Sequence, residues 1–121
     1  MPIEFYKTLH IFGVFAVVLT LGGIGVQMMN GGSWNHPSRR KLAIIHGIGL
    51  LAALIGGFGL LGKMGYMADF PLWAGAKLAI WLWMGAVIAL FKRKPQRAQA
   101  LWVAVLLLAT AAAWLAIYKP F

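Results

Sequence analysis

Four long apolar runs dominate the pattern of residues along the chain: Leu9 to Met29, Leu42 to Leu61, Leu72 to Phe91 and Leu101 to Tyr118. A helix needs about 20 residues to cross a hydrocarbon layer of about 30 Å, because each residue adds about 1.5 Å. A membrane-spanning strand would instead alternate polar and apolar residues over about 10 positions. The runs are long and do not alternate, so the pattern predicts four membrane-spanning helices.

Short connections with helix-breaking residues separate the four runs. Pro37 lies in the first connection, Pro71 ends the second, and Pro95 lies in the third. Proline suits the first turn of a helix because its missing N–H needs no partner there, and short connections make consecutive helices antiparallel neighbours. The sequence therefore predicts one domain, residues 1–121, that is an all-α, integral membrane, up-down four-helix bundle. We expect its helices at about residues 6–29, 40–62, 71–91 and 97–118.

Composition agrees with a membrane protein, since 62% of the residues are hydrophobic and only 11% are charged. The first apolar run lacks the basic segment and the small-x-small cleavage site of a cleaved signal peptide. We therefore expect it to be retained as the first helix.

The charge of the chain is strongly positive and unevenly placed. The formal net charge is +9, and most basic residues lie in the two connections on one side of the predicted bundle: Arg39, Arg40, Lys41, Lys92, Arg93, Lys94 and Arg97. Because basic residues in short loops mark the cytoplasmic side, we expect both chain termini to face outside. Such loops contact the anionic headgroups of the lipid bilayer, and we expect no nucleic-acid partner.

The chain has no cysteine, which excludes disulfides, thiolate metal sites and iron–sulfur clusters. Candidate chemistry therefore rests on the polar residues inside the apolar runs, because each of these is a functional hypothesis at membrane depth. They are His10, Thr20 and Gln27 in the first run, His46 in the second, Lys77 in the third and Thr110 in the fourth. His36 lies in a polar loop, where we expect water around it.

Two helices carry a face that we expect to point inward. On the first helix, one stripe is formed at helical spacing by His10, Gly13, Val17, Thr20, Ile24 and Gln27. On the second helix, Gly49, Ala53 and Gly57 form a ridge of small residues. Such a ridge either packs closely against another helix or leaves space for a flat ligand.

Depth along the helices decides which of these residues share a site. Counted at about 1.5 Å per residue, His10 and Lys77 lie near the same outer surface, whereas His46 lies near the cytoplasmic side. Roughly 15 Å of depth separates the two histidines, so they cannot both bind one haem iron. His10 is a candidate iron ligand, alone or paired across a dimer.

Lys77 has two tryptophans on its helix face, Trp73 and Trp81, four residues to either side. Its ammonium would then lie between two indole rings, held by cation–π attraction. Alternatively, Lys77 extends to the outer headgroups, and the tryptophans anchor the helix at the interface. For His10, the alternative to a ligand role is a hydrogen bond to a neighbouring helix.

Four short stretches of the chain carry a resemblance to known proteins: YKTLHIFGV, RRKLAIIHG, WAGAKLAIWLW and the KRK loop. Together they resemble small four-helix bacterial membrane proteins of the SirB, CopD and HemJ type. HemJ-type proteins are membrane protoporphyrinogen oxidases that act on a tetrapyrrole and are associated with haem b. The resemblance implies that His10 and Lys77 correspond to that family's first-helix histidine and third-helix lysine, while His46 is similar to the SirB pattern. It also implies a location in the bacterial inner membrane.

Two functions of different classes follow. The first is a membrane protein that handles or binds haem or a porphyrin through an outer site of His10 and Lys77. Further cofactor-binding candidates are His46, Trp73 and Trp81, and the resemblance implies protoporphyrinogen-oxidase-like chemistry. A tetrapyrrole is flat, apolar and carries carboxylates, which suits a small-residue cleft with a cation. The second function is a non-catalytic accessory subunit of a larger respiratory or transport complex, with membrane subunits or further copies of the chain as partners.

Overall fold

The computed structural model describes residues 2–32, 35 and 37–120, and this part of the chain is built from helices. Their order is α1 (Ile3–Met29), α2 (Arg39–Lys63), α3 (Leu72–Arg93), a short 3-10 helix (Pro95–Arg97) and α4 (Ala98–Tyr118). All four α-helices are long and apolar enough to cross a membrane. The predicted all-α four-helix membrane bundle is confirmed, and His36 lies outside the described residues.

A proline directly precedes or begins three of the helices. The observed helix bounds lie close to the predicted ones. α1 begins earlier than expected, because the extended backbone of Pro2, with φ −68° and ψ 158°, directly precedes its first turn. Glu4 places a negative charge in that turn, where the helix dipole favours it. Pro71 precedes α3 in the same way. Pro95 starts the 3-10 helix, so α4 itself begins at Ala98.

α1 and α2 run antiparallel and touch along the predicted ridge of small residues. A Cβ atom added to Gly13 would lie 2.6 Å from the backbone oxygen of Gly49, and one added to Gly49 would lie 2.8 Å from Cβ of Ala16. Both distances are too short for real side-chain contacts, so this approach depends on glycine at both positions. Gly49 and Ala53 are buried under α1, which confirms the close packing of the ridge at these residues.

The stripe predicted on α1 faces the interior of the bundle. Its buried members are Gly13, Val17, Thr20 and Ile24. Val17 and Ile24 belong to the main hydrophobic core, which also contains the fully buried Val87 and Phe91 of α3. The helical spacing of the stripe therefore identified the face of α1 that the other helices cover.

The antiparallel order gives the bundle two different ends. The terminal end carries the two chain termini and the α2–α3 connection, and the basic end carries the two connections rich in lysine and arginine. A smaller hydrophobic cluster of Leu61, Trp73, Ala74 and Leu115 lies near the terminal end. The backbones of α2 and α3 come close to each other at few positions. Space therefore remains between the helices in the terminal half.

Candidate functional site: a cavity in the terminal half

A cavity lined by all four helices occupies the terminal half of the bundle. Its volume is about 450 Å³, and it adjoins a second space of about 670 Å³ that is lined mainly by α1 and α4. Residues common to both walls include Lys7, His10, Ala53, Lys77 and Trp81. Small-molecule sites in proteins have volumes of about 300–1,000 Å³. This terminal cavity therefore has the size of a ligand site.

Aromatic rings pack the connection between α2 and α3 against the terminal cavity. Phe58 and Phe70 stack with their ring centroids 6.1 Å apart, and both line the cavity. Tyr66 meets Trp73 edge to face at 5.7 Å. These contacts give the cavity an apolar wall on the side of this connection, which a flat hydrophobic ligand can contact over a large area.

His10 is held in one orientation by α2. Its Nδ1 lies 2.8 Å from the backbone oxygen of Ala53, and a carbonyl oxygen only accepts, so Nδ1 carries the proton and donates it. In the neutral ring, the lone pair is then on Nε2. A Cβ atom added to Gly57 would lie 3.4 Å from Nδ1, so glycine leaves the space beside the imidazole open. His10 lines the cavity, and within the described residues its Nε2 has no hydrogen-bond partner.

Three lysines line the same cavity: Lys7 from α1, Lys77 from α3 and Lys119 from the end of α4. Neither of the two acidic residues of the chain, Glu4 and Asp69, is part of its wall. Lys77 is half-buried, whereas Lys7 and Lys119 are exposed. A charge at the depth of Lys77 is costly unless an opposite charge is near. The terminal cavity is therefore electropositive, and an anionic ligand would compensate it.

The two tryptophans line the cavity with Lys77, but the cation–π contact of one and the hydrogen bond of the other are made with different residues. The ammonium over the ring of Trp73, at 5.2 Å from its centroid, belongs to Lys119. Trp81 donates its Nε1 hydrogen to the backbone oxygen of Leu50 at 2.9 Å. In the part of the chain that the structure describes, the two indoles therefore do not form the predicted clamp around Lys77.

His46 lies apart from the terminal cavity, on the basic side of it. Its side chain is buried, and its Nε2 donates to the backbone oxygen of Met84 at 3.1 Å. This bond joins α2 to α3, and His46 is not part of the cavity wall. The structure thus brings together His10, Lys77, Trp73 and Trp81 of the predicted site residues, and it places His46 elsewhere.

The remaining polar residues of the apolar runs bond locally. The hydroxyl of Thr20 donates to the oxygen of Ala16 at 2.8 Å, and that of Thr110 donates to the oxygen of Leu106 at 2.9 Å. Gln27 donates to the hydroxyl of Ser38 at 3.1 Å near the basic end. None of these three residues lines the terminal cavity.

Sequence reasoning missed Lys7 and Lys119 as site residues, because both lie outside the apolar runs. For Lys7 the sequence held a usable indication, since it precedes His10 by three residues and such positions share a helix face. For Lys119 the sequence held no such indication, because the direction of this side chain depends on the backbone turn after α4.

The chain matches no protein-family model, no curated protein and no solved structure. Within the described residues, no group of three or more histidine or acidic side chains is placed to hold a metal ion.

Proposed function

We propose that this chain is an integral membrane protein that binds haem or a related porphyrin in the terminal cavity. The observation that carries the proposal is the state of His10. Its Nδ1 donates to the oxygen of Ala53, its Nε2 has no hydrogen-bond partner among the described residues, and the ring lines an apolar cavity together with lysines.

The residues of the cavity suit a metalloporphyrin in their ligand chemistry. In a haem, the macrocycle itself holds the iron, so the protein needs to supply only axial ligands, and histidine is a common one. Histidines that bind metals usually donate their other ring nitrogen to a carbonyl or carboxylate, which fixes the ring and raises its basicity. The bond from His10 to Ala53 has this arrangement.

The charges of the cavity suit the acidic groups of a porphyrin. A porphyrin of the haem type combines a flat apolar ring with two propionates. The aromatic and aliphatic wall would contact the ring, and Lys7, Lys77 and Lys119 would pair with the carboxylates through charge-assisted hydrogen bonds. Glu4 and Asp69 are not part of the wall, so neither of these side-chain carboxylates pairs with the lysines inside the cavity.

A bound haem b would supply iron that can change its oxidation state. The part of this chain is to bind the ring, orient it through His10 and exclude water with apolar walls. Resemblance to HemJ-type proteins extends the proposal to protoporphyrinogen-oxidase-like activity on a tetrapyrrole, with the catalytic residues unassigned. The same resemblance extends the proposal to the bacterial inner membrane. The basic loops extend it to an orientation in which the terminal end, with both chain termini, faces outside.

The test is pigment binding by the purified protein and by two histidine variants. We expect the parent protein in detergent to bind hemin at a ratio near one to one, with a Soret band. His10→Ala should lose most of this binding because the axial nitrogen is gone. His46→Gln is the matched control, because it changes a histidine that does not line the cavity and keeps a side-chain N–H donor; it should bind as the parent does.

Two results would contradict the proposal. One is equal hemin binding by His10→Ala and the parent. The other is a colourless parent protein that binds no porphyrin and co-purifies with other membrane subunits, which would favour the accessory-subunit function.

A further inference from the structure

Lys119 adopts a backbone conformation that is unusual for a lysine. It follows the last residue of α4 with φ 46° and ψ 58°, in the left-handed region. This position after a helix is commonly occupied by glycine, which has no Cβ atom to crowd the following carbonyl oxygen, or by asparagine, whose side chain can hydrogen-bond locally. Residues in such conformations concentrate at functional sites. Lys119 therefore needs an explanation beyond ending the helix.

The left-handed turn directs the side chain of Lys119 back onto the bundle. Its Nζ donates to the backbone oxygen of Ala116 at 2.7 Å and lies over the ring of Trp73. Lys119 also lines the terminal cavity. The side chain of Lys119 is exposed, so its ammonium lies at the edge of the cavity, where the contacts with Ala116 and Trp73 hold it.

Lys119 and Lys77 occupy different depths in the cavity wall. Trp73, which carries the Lys119 ammonium, precedes Lys77 by four residues on α3 and lies nearer the terminal end. Four residues of helix correspond to about 6 Å. Lys7 of α1 lines the cavity as well. The cavity thus presents one cation deep in the bundle and a second cationic position closer to its mouth.

We propose that Lys119, with Lys7 as a further cation of the same wall, forms a second anion subsite at the mouth of the terminal cavity and selects ligands with two acidic groups. This inference rests on the proposed function and adds the role of Lys119 to it. Lys77 binds one acidic group, and Lys119 binds the other. The nearby acidic residues Glu4 and Asp69 stay outside the wall and leave both subsites cationic.

The test compares hemin, which has two free propionates, with its dimethyl ester, which has the same ring and no charge on the side chains. The parent protein should bind hemin more tightly than the ester. Lys119→Asn removes the ammonium and keeps a residue that tolerates the left-handed turn. It should weaken hemin binding by about tenfold, a typical value for one charge-assisted hydrogen bond, and leave the affinity for the ester unchanged.

Two further variants separate charge from helix capping. Lys119→Gly relieves the left-handed conformation, so its melting temperature should match or exceed that of the parent while its preference for hemin falls. Lys63→Asn is the matched control, because Lys63 is an exposed lysine near the same end that does not line the cavity. It should bind both pigments as the parent does.

Any of the following outcomes would contradict the anion subsite at Lys119. Unchanged hemin affinity in both Lys119 variants would show that the ammonium binds no acidic group. An equal loss for hemin and ester would show that Lys119 only shapes the helix end. Binding of neither pigment by the parent would overturn the proposed function and the subsite together, whereas binding of both without discrimination would overturn the subsite alone.

Discussion

His10 on α1 donates its Nδ1 hydrogen to the backbone oxygen of Ala53 on α2, at a distance of 2.8 Å. This bond is possible because the two helices approach closely beside it: a Cβ atom added to Gly56 would lie 2.8 Å from Cβ of His10. The small residues of α2 therefore do more than pack. They bring a backbone carbonyl within reach of a histidine and so fix which of its nitrogens carries the proton.

The first prediction concerns the contact between α1 and α2. Gly13→Ala should lower the stability of the bundle, because the new methyl group would lie 2.6 Å from the oxygen of Gly49 and would push the helices apart. Overpacking of this kind costs about 1–3 kcal/mol. Thermal unfolding in detergent measures the effect. Because the shift also moves Ala53 away from His10, hemin binding should fall with it.

Gly47→Ala is the control for that prediction. Gly47 is also a helical glycine, but a Cβ atom there would have nothing within 4 Å. Alanine has a higher helix propensity than glycine by about 1 kcal/mol, so this variant should be as stable as the parent or more stable. Equal melting temperatures for Gly13→Ala and Gly47→Ala would show that α1 and α2 are not in close contact at Gly13.

The second prediction distinguishes a Lys77 ammonium that pairs with a ligand from one that extends to the lipid headgroups. If its ammonium pairs with an acidic group of the ligand, Lys77→Met should weaken hemin binding by about tenfold. The methionine keeps the length and the apolar stem, so the ligand-free protein should melt at the same temperature or higher once an uncompensated charge is gone. Titration of hemin and a melting curve on the same preparation give both values.

Lys63→Met is the matched control for Lys77, as an exposed lysine outside the cavity wall. A lysine that merely extends to the headgroups predicts the opposite result, in which Lys77→Met binds hemin as well as Lys63→Met does. That result would remove Lys77 from the proposed site.

The third prediction concerns the orientation of the bundle in the membrane. The chain has no cysteine, so a single introduced cysteine reports on its own position. Met67→Cys, in the exposed α2–α3 connection, should react in intact cells with a thiol reagent that cannot cross the membrane. Gln96→Cys, in an exposed basic connection, should react only after the cells are opened. The reverse labelling would place the terminal cavity on the cytoplasmic side.

Much of the fold followed from the sequence, because the features that define it repeat at fixed spacing. The apolar runs gave the number and bounds of the helices, and the spacing from Gly13 to Ile24 gave the buried face of α1. The ridge at Gly49 and Ala53 marked a close contact. Periodicity reports which face of a helix is covered, and these predictions required nothing more.

The site was predictable only in part, because its geometry depends on contacts between helices that no single helix encodes. Shared depth placed His10 and Lys77 in one region, and both do line the terminal cavity. Of the two alternatives for Lys77, the clamp between Trp73 and Trp81 is not formed in the described residues. The ammonium over Trp73 belongs to Lys119, which follows α4 in a left-handed turn. No pattern in the sequence around Trp73 contains that information.

The attachment of α3 to α2 has a mechanical consequence for the terminal cavity. Two side-chain hydrogen bonds join these helices, one from His46 to the oxygen of Met84 and one from Trp81, a residue of the cavity wall, to the oxygen of Leu50. The α2–α3 connection also joins the same two helices at the terminal end. α2 and α3 are therefore attached to each other on both sides of the terminal cavity, and the wall that they form resists widening.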